Sequence, residues 1–266
     1  MKTTIKLTLY YFVYQFACLF VLYFFFYAYY SLAGYLQTGT LQMAELTAAQ
    51  NFDISVLSML VSSAIYGWHI FHFHYVQFNR PTFSPVSTPL MLSIIPLTFG
   101  MIFWMNYVVE ALSLPNVFED LFVQMMNSPL GILSIAIVAP IFEEILFRGA
   151  IQGHLLRSGV RPQYAILLSA LVFGIIHGNP AQIPFAFVLG LLLGWLYYIT
   201  GSLLPGILLH FINNTSSVIL MLTVPESASS MNQMFGPTNA AALALFGLIL
   251  TVCFIYIIQR LMANHS

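Results

Sequence analysis

The stretch Ala139-Pro140-Ile141-Phe142-Glu143-Glu144-Ile145-Leu146-Phe147-Arg148-Gly149 decides how the chain is read. It sets two adjacent carboxylates and an arginine inside a run that otherwise reads as a membrane-spanning helix. Ionisable groups at that depth cost roughly 2.5 to 3.5 kcal/mol each on insertion scales, so three within six residues mark a candidate functional site. Glu144 and Arg148 stand at i and i+4, which on a helix puts them on one face within pairing reach. Glu143 is turned by about 100° from Glu144 and points elsewhere. One carboxylate is therefore expected to be held by the arginine, and the other to be free for chemistry. Pro140 interrupts the hydrogen-bond ladder just before the pair and predicts a kink. Membranes tolerate such breaks where the backbone lines a polar cavity or is buried in protein.

Outward from that stretch, composition fixes the class. Of 266 residues, 60% are hydrophobic and 6% charged, far from the quarter or so that soluble domains carry. The expectation is an all-α polytopic membrane protein with its core helices packed around a buried polar cavity. A formal charge of −1, with no basic arm and no zinc-knuckle spacing, argues against nucleic acid as a partner. Membrane lipid is the expected surroundings instead. Cys18 and Cys253 both fall within apolar runs and define no disulfide framework.

About eight spans are predicted, near residues 9–34, 54–76, 90–112, 130–156, 162–178, 181–199, 204–222 and 240–260. The aromatics that crowd the first span are read as lipid-facing anchors. Between the third and fourth spans, Phe118, Leu121, Phe122 and Met125 recur at helical spacing opposite Glu119, Asp120 and Gln124, which suits a short helix on the membrane surface. Three regions follow: residues 1–129 with three spans and the surface helix, a core at 130–222, and residues 223–266 with a loop and the last span. With eight spans, Lys2, Lys6, Arg80, Arg157, Arg161 and Arg260 all fall on one side. The positive-inside rule then makes this a multi-pass protein of the cell membrane with both termini in the cytoplasm. His69, His72 and His74, close to Arg80, are read as solvated interfacial residues, and Glu110 as water-exposed.

The later spans hold few polar residues, and those few are patterned. Phe173 and His177 are four apart in the fifth span, and His210 and Asn214 are four apart in the seventh. At a rise of about 1.5 Å per residue, Glu143 and Glu144 lie roughly 20 Å from the cytoplasmic ends, His177 a little deeper and His210 roughly 10 to 15 Å in. A shared site is geometrically possible. Gly149/Gly153, Gly174/Gly178 and Gly190/Gly194 are small-xxx-small pairs that permit close helix packing.

EExxxR (Glu143, Glu144, Arg148), FxxxH (Phe173, His177) and HxxxN (His210, Asn214), in this order on separate spans, resemble the CPBP family. This family of intramembrane endopeptidases is also called the CAAX protease and bacteriocin-processing, or Abi, family. Its eukaryotic relative removes the last three residues of prenylated CAAX proteins. The resemblance covers residues 130–222. It implies that Glu143 activates a water, that His177 positions it, and that His210 and Asn214 stabilise the oxyanion. Glu144 and Arg148 would brace the site, and Phe173 belongs to the motif that carries His177. The implied substrate is a hydrophobic or lipidated peptide, a CAAX-type C-terminus or a bacteriocin- or pheromone-like precursor.

By residue type, Glu143, His177 and His210 are also possible zinc ligands, and family nomenclature often speaks of metalloproteases. No HExxH or cysteine cluster is present, and a carboxylate can activate water directly; the metal-free reading is favoured. The rival from another class is a catalytically silent membrane scaffold or immunity factor. A small proton-relay transporter is disfavoured by the lack of an inverted repeat.

Overall fold

A bilayer core about 30 Å thick asks for roughly 20 apolar residues per helix, and the apolar runs of this chain meet that demand. The computed structural model describes residues 2–40, 42–77, 80–84, 86–224 and 230–264, and the side chains of Arg80 and Pro81 are left aside. The described residues form helices and no strand. These are α1 (Lys2–Thr38), α2 (Ala48–His72), α3 (Arg80–Phe83), α4 (Thr88–Leu112) and α5 (Glu119–Met126). A continuous helical rod, Pro129–Arg157, contains α6 (Pro129–Leu133), α7 (Ala139–Glu143) and α8 (Gly153–Arg157), separated by two π-helical stretches. After it come α9 (Pro162–Ile176), α10 (Ile183–Thr200), α11 (Leu204–Thr223), α12 (Met231–Phe235) and α13 (Pro237–Ala263).

Seven of these helices are long and apolar enough to cross a membrane, and Pro162–Ile176 is a shorter apolar helix of 15 residues. The protein is thus an integral, multi-pass membrane protein, close to the expected eight spans. The fifth span ends earlier than expected, at Ile176. Gly178 takes a left-handed φ of 63° and Pro180 follows, so the chain turns there. Gly178 is therefore a turn residue and not half of a packing pair.

The rod Pro129–Arg157 is the axis of the molecule. Leu146, Phe147, Ala150 and Ile151 on it are fully or almost fully buried, against Phe173 of α9, Leu193 of α10 and Leu209 of α11. Gly149 gives its place to Val76, whose side chain would stand 2.8 Å from a Cβ there. The helix α1 sits at the edge. Its most apolar window is not buried at all, and Phe16, Phe20, Phe24 and Phe25 are exposed, as lipid-facing anchors should be. It is fastened near its start, where the Tyr66 hydroxyl donates to the Leu7 carbonyl at 2.6 Å.

Two expectations at the ends of the bundle are corrected. His69 is not a freely solvated residue: its Nδ1 meets the Tyr14 hydroxyl at 3.0 Å, and its ring lies among Tyr10, Tyr66 and Tyr75. Aromatic packing at the helix ends outcompetes water there. Glu110 is half-buried, and its carboxylate accepts the Met231 N–H at 2.8 Å and the Asn232 side-chain amide at 2.7 Å, capping α12. On the same face, Asn179 is fully buried; it donates to Asn116 Oδ1 at 2.7 Å and accepts the Val117 N–H at 3.2 Å. This ties the strand of chain before α5 to the turn after α9.

Candidate active site

The rod that carries the two glutamates does not run as a regular α-helix. Ser134–Val138 and Glu144–Gln152 are π-helical, and Pro140 lies between them. The break expected at Pro140 thus takes the form of wide turns on both sides. Wide turns are rare and cluster at functional positions, because each sets the following side chains out of α-helical register. They also leave carbonyls open to outside donors. Here two neighbouring helices supply such donors: Asn214 Nδ2 of α11 donates to the Ile135 carbonyl at 3.0 Å, and Ser169 Oγ of α9 to the Phe147 carbonyl at 2.9 Å. Both π-helical stretches are thus held from outside by side-chain hydrogen bonds.

Glu143 and Glu144 are adjacent in sequence and live in different surroundings. The Glu144 side chain is 1% exposed, and its Oε1 lies 2.9 Å from Arg148 Nη1. Its Oε2 rests against Gly206 of α11, where a Cβ would come within 2.8 Å. The Glu143 side chain is 19% exposed. His210 stands between them: Nδ1 is 3.2 Å from Glu144 Oε1, and Nε2 is 3.7 Å from Glu143 Oε2. Since the carboxylate of Glu144 is held by the arginine and can only accept, Nδ1 of His210 donates to it. The Nε2 side of the ring is then the one turned to Glu143. Taking charges this far from water is costly unless each is compensated; Arg148 is compensated by the Glu144 ion pair, the Phe173 ring and one hydrogen bond, from Nη2 to the Gly190 carbonyl.

Phe173 is the hinge of the site. It is fully buried, and its ring carries the Arg148 guanidinium at 4.4 Å from the centroid, His177 edge-on at 5.0 Å and His210 edge-on at 5.7 Å. A cation over an aromatic face gains from the ring quadrupole, the more so away from water. His177 caps α9, half-buried, with Nδ1 2.7 Å from the Phe173 carbonyl. A carbonyl only accepts, so Nδ1 carries a proton, and in the neutral tautomer Nε2 is the lone-pair acceptor. The early end of α9 places this ring on the last turn and not within a span. Asn214 spends one amide hydrogen on Ile135 and accepts from Asn213 Nδ2 at 3.1 Å, which leaves its second amide hydrogen uncommitted by these bonds.

The structure therefore brings Arg148, His177 and His210 around the Phe173 ring and sets Glu143 and Glu144 against His210, with Asn214 one turn along α11. It does not converge Glu143, His177 and His210 into a three-donor set. No group of three His, Cys, Asp or Glu is arranged to hold a metal ion among the described residues. These residues do not fit a zinc site as they stand. Sequence reasoning missed three residues: Ser169, Gly206 and Gln152. Gln152 had a visible signal, since Glu144, Arg148 and Gln152 repeat at intervals of four inside an apolar run. Ser169 and Gly206 had none, because their partners come from other helices.

The resemblance read from the three motifs is borne out by comparison with known proteins. Residues 125–216 match the family described as Type II CAAX prenyl endopeptidase Rce1-like. The membrane-embedded CAAX protease MroQ of Staphylococcus aureus (strain USA300) is 31% identical over 118 residues, 42% of this chain and 47% of that protein. The protein named "Putative membrane peptidase YdiL" of Bacillus subtilis (strain 168) is 35% identical over 94 residues, 35% of this chain and 38% of that protein. The chain thus aligns with less than half the length of either relative. No solved structure matches it significantly.

Proposed function

We propose, from the Rce1-like match of residues 125–216, that this chain is an intramembrane endopeptidase that cleaves a peptide bond in a hydrophobic or lipidated peptide. The observation that carries the reading is the contrast between two neighbouring carboxylates. Glu144 is sealed and ion-paired, whereas Glu143 is partly open and faces an imidazole whose other nitrogen is already fixed. A pair of like groups driven into different environments is the common way a site separates structural from reactive roles.

In this mechanism Glu143 takes one proton from a water, and the resulting hydroxide attacks the scissile carbonyl carbon. His177, with Nε2 free to accept, orients that water. The oxyanion is met by the Nε2 side of His210, the side turned to Glu143, and by the remaining amide hydrogen of Asn214. Collapse of the tetrahedral intermediate breaks the C–N bond, and Glu143 returns its proton to the leaving amine. Oriented donors of this kind are typically worth about 3 kcal/mol each in the transition state. Arg148 and Glu144 hold His210 in place and take no part in proton transfer. Lys6 and Arg157 gather on Tyr75 at one end of the bundle, Lys6 Nζ 3.2 Å from its hydroxyl and Arg157 Nη2 2.8 Å from its carbonyl. We assign that end to the cytoplasm, with both chain termini, in a plasma-membrane protein.

The test is comparative peptidomics of membranes carrying the native protein or Glu143→Gln at equal level. At least one membrane peptide should fall by about a hundredfold or more in the variant, since general-base catalysis contributes about 10²- to 10⁴-fold. Identical peptide profiles would remove the hydrolase reading and leave a binding or immunity role.

A further inference from the structure

Glu144, Arg148 and Gln152 are all completely buried, at intervals of four along one π-helical stretch. The first two belong to the site described above. Gln152 does not touch it, yet it is bonded as if it were part of the same fitting. Its Nε2 donates to the Gly194 carbonyl of α10 at 2.7 Å, while Arg148 Nη2 donates to the Gly190 carbonyl at 3.2 Å. Two donors four residues apart thus reach two carbonyls four residues apart on the facing helix. At 194 the donation depends on the glycine, whereas at 190 the missing Cβ makes way for α9. A Cβ at 194 would stand 2.7 Å from Gln152 Oε1, and one at 190 would stand 3.0 Å from Ala170 and 3.2 Å from Phe173.

Inside a helix, carbonyls normally serve their own ladder, so a side chain that takes one from a neighbouring helix fixes the relative rise and rotation of both. Gln152 is the last residue of the π-helical stretch, and its Oε1 has no partner among the described residues. The side chain is therefore spent on a single donation. A wide turn relaxes to the tighter α-helix unless something outside holds it, and relaxation by one residue per turn would swing the glutamates at its start away from His210.

We propose that Gln152 is a positioning residue: by pinning the end of the π-helical stretch to Gly194, it keeps Arg148 on Gly190 and so sets Glu143 and Glu144 against His210. This rests on the endopeptidase reading for its effect on turnover, but not for its effect on the carboxylate.

The experiment uses the full chain in lipid nanodiscs with Gln152→Leu, which keeps the volume, and Gln152→Glu, which as a neutral acid can still donate to the Gly194 carbonyl. Two quantities are read beside the melting temperature. One is cleavage of the peptide that separates native from Glu143→Gln membranes. The other is the rate at which dicyclohexylcarbodiimide labels Glu143, followed by mass spectrometry. Gln152→Leu should melt like the native protein, lose kcat by about ten- to a hundredfold at unchanged KM, the scale of a misplacement of about 1 Å, and change the labelling rate several-fold. Gln152→Glu should restore both quantities. Native turnover and labelling in Gln152→Leu overturn the proposal, as does a loss that merely tracks a lowered melting temperature. If no peptide separates native from Glu143→Gln membranes, the function falls while the labelling rate still decides the role of Gln152.

Discussion

Two helix interfaces in this protein are built on glycine pairs, and they are used in opposite ways. Between α4 and α13, Gly100 faces Gly247: a Cβ at 100 would stand 2.9 Å from the Gly247 carbonyl, and one at 247 would stand 2.6 Å from the Gly100 carbonyl. The two backbones touch, and the nearby polar group, Thr251, turns its hydroxyl to its own helix, the Gly247 carbonyl at 2.9 Å. Between the rod and α10, Gly194 instead leaves room for Gln152 to reach across, one turn from the Gly190 carbonyl that Arg148 takes. Glycine serves close backbone contact in one place and admits a polar side chain in the other. What differs is the partner: an apolar helix in the first case, a helix carrying buried donors in the second. In lipid, where burial of apolar groups drives little association, a glycine pair therefore says that two helices meet closely, not why.

Three substitutions would break or sharpen that contrast. Arg148→Leu should do the greatest harm, because it strands Glu144 in a sealed site. A loss of about 3 to 5 kcal/mol is expected for a buried pair broken on one side, visible as a collapse of folded yield in detergent. Gly100→Ala should cost about 1 to 3 kcal/mol through overpacking. The melting temperature would fall, while turnover per folded molecule stays native, since α4 and α13 hold none of the proposed reacting groups. Thr251→Val should be nearly neutral, within about 0.5 kcal/mol, because the hydroxyl only bonds back to its own turn. A large loss there would mean that the dry interface also depends on a polar contact.

The contrast also shows what could be read ahead of the coordinates. The spans were legible because apolar runs of bilayer length have one stable outcome, a helix. The Glu144–Arg148 pair was legible because i, i+4 spacing is local. The three motifs identified the match that residues 125–216 bear out. The π-helical stretches were not legible, since the carbonyls of Ile135 and Phe147 are held by Asn214 and Ser169, far along the chain. For the same reason the sequence does not show that His210 joins the two glutamates. The end of α9 at Ile176 was misjudged by two residues, which moved His177 from a span to a cap.

One consequence of the α10 arrangement reaches into its evolution. Arg148 and Gln152 lean on main-chain oxygens, and every amino acid supplies those. Substitution along α10 can therefore change side chains freely without deleting an acceptor, provided positions 190 and 194 stay without a Cβ. The constraint on that helix thus lies in the bulk forbidden at its two glycines and in the core-facing apolar residues such as Leu189, Leu193 and Leu196, and genetic drift can rewrite its lipid-facing surface while leaving the reacting groups undisturbed.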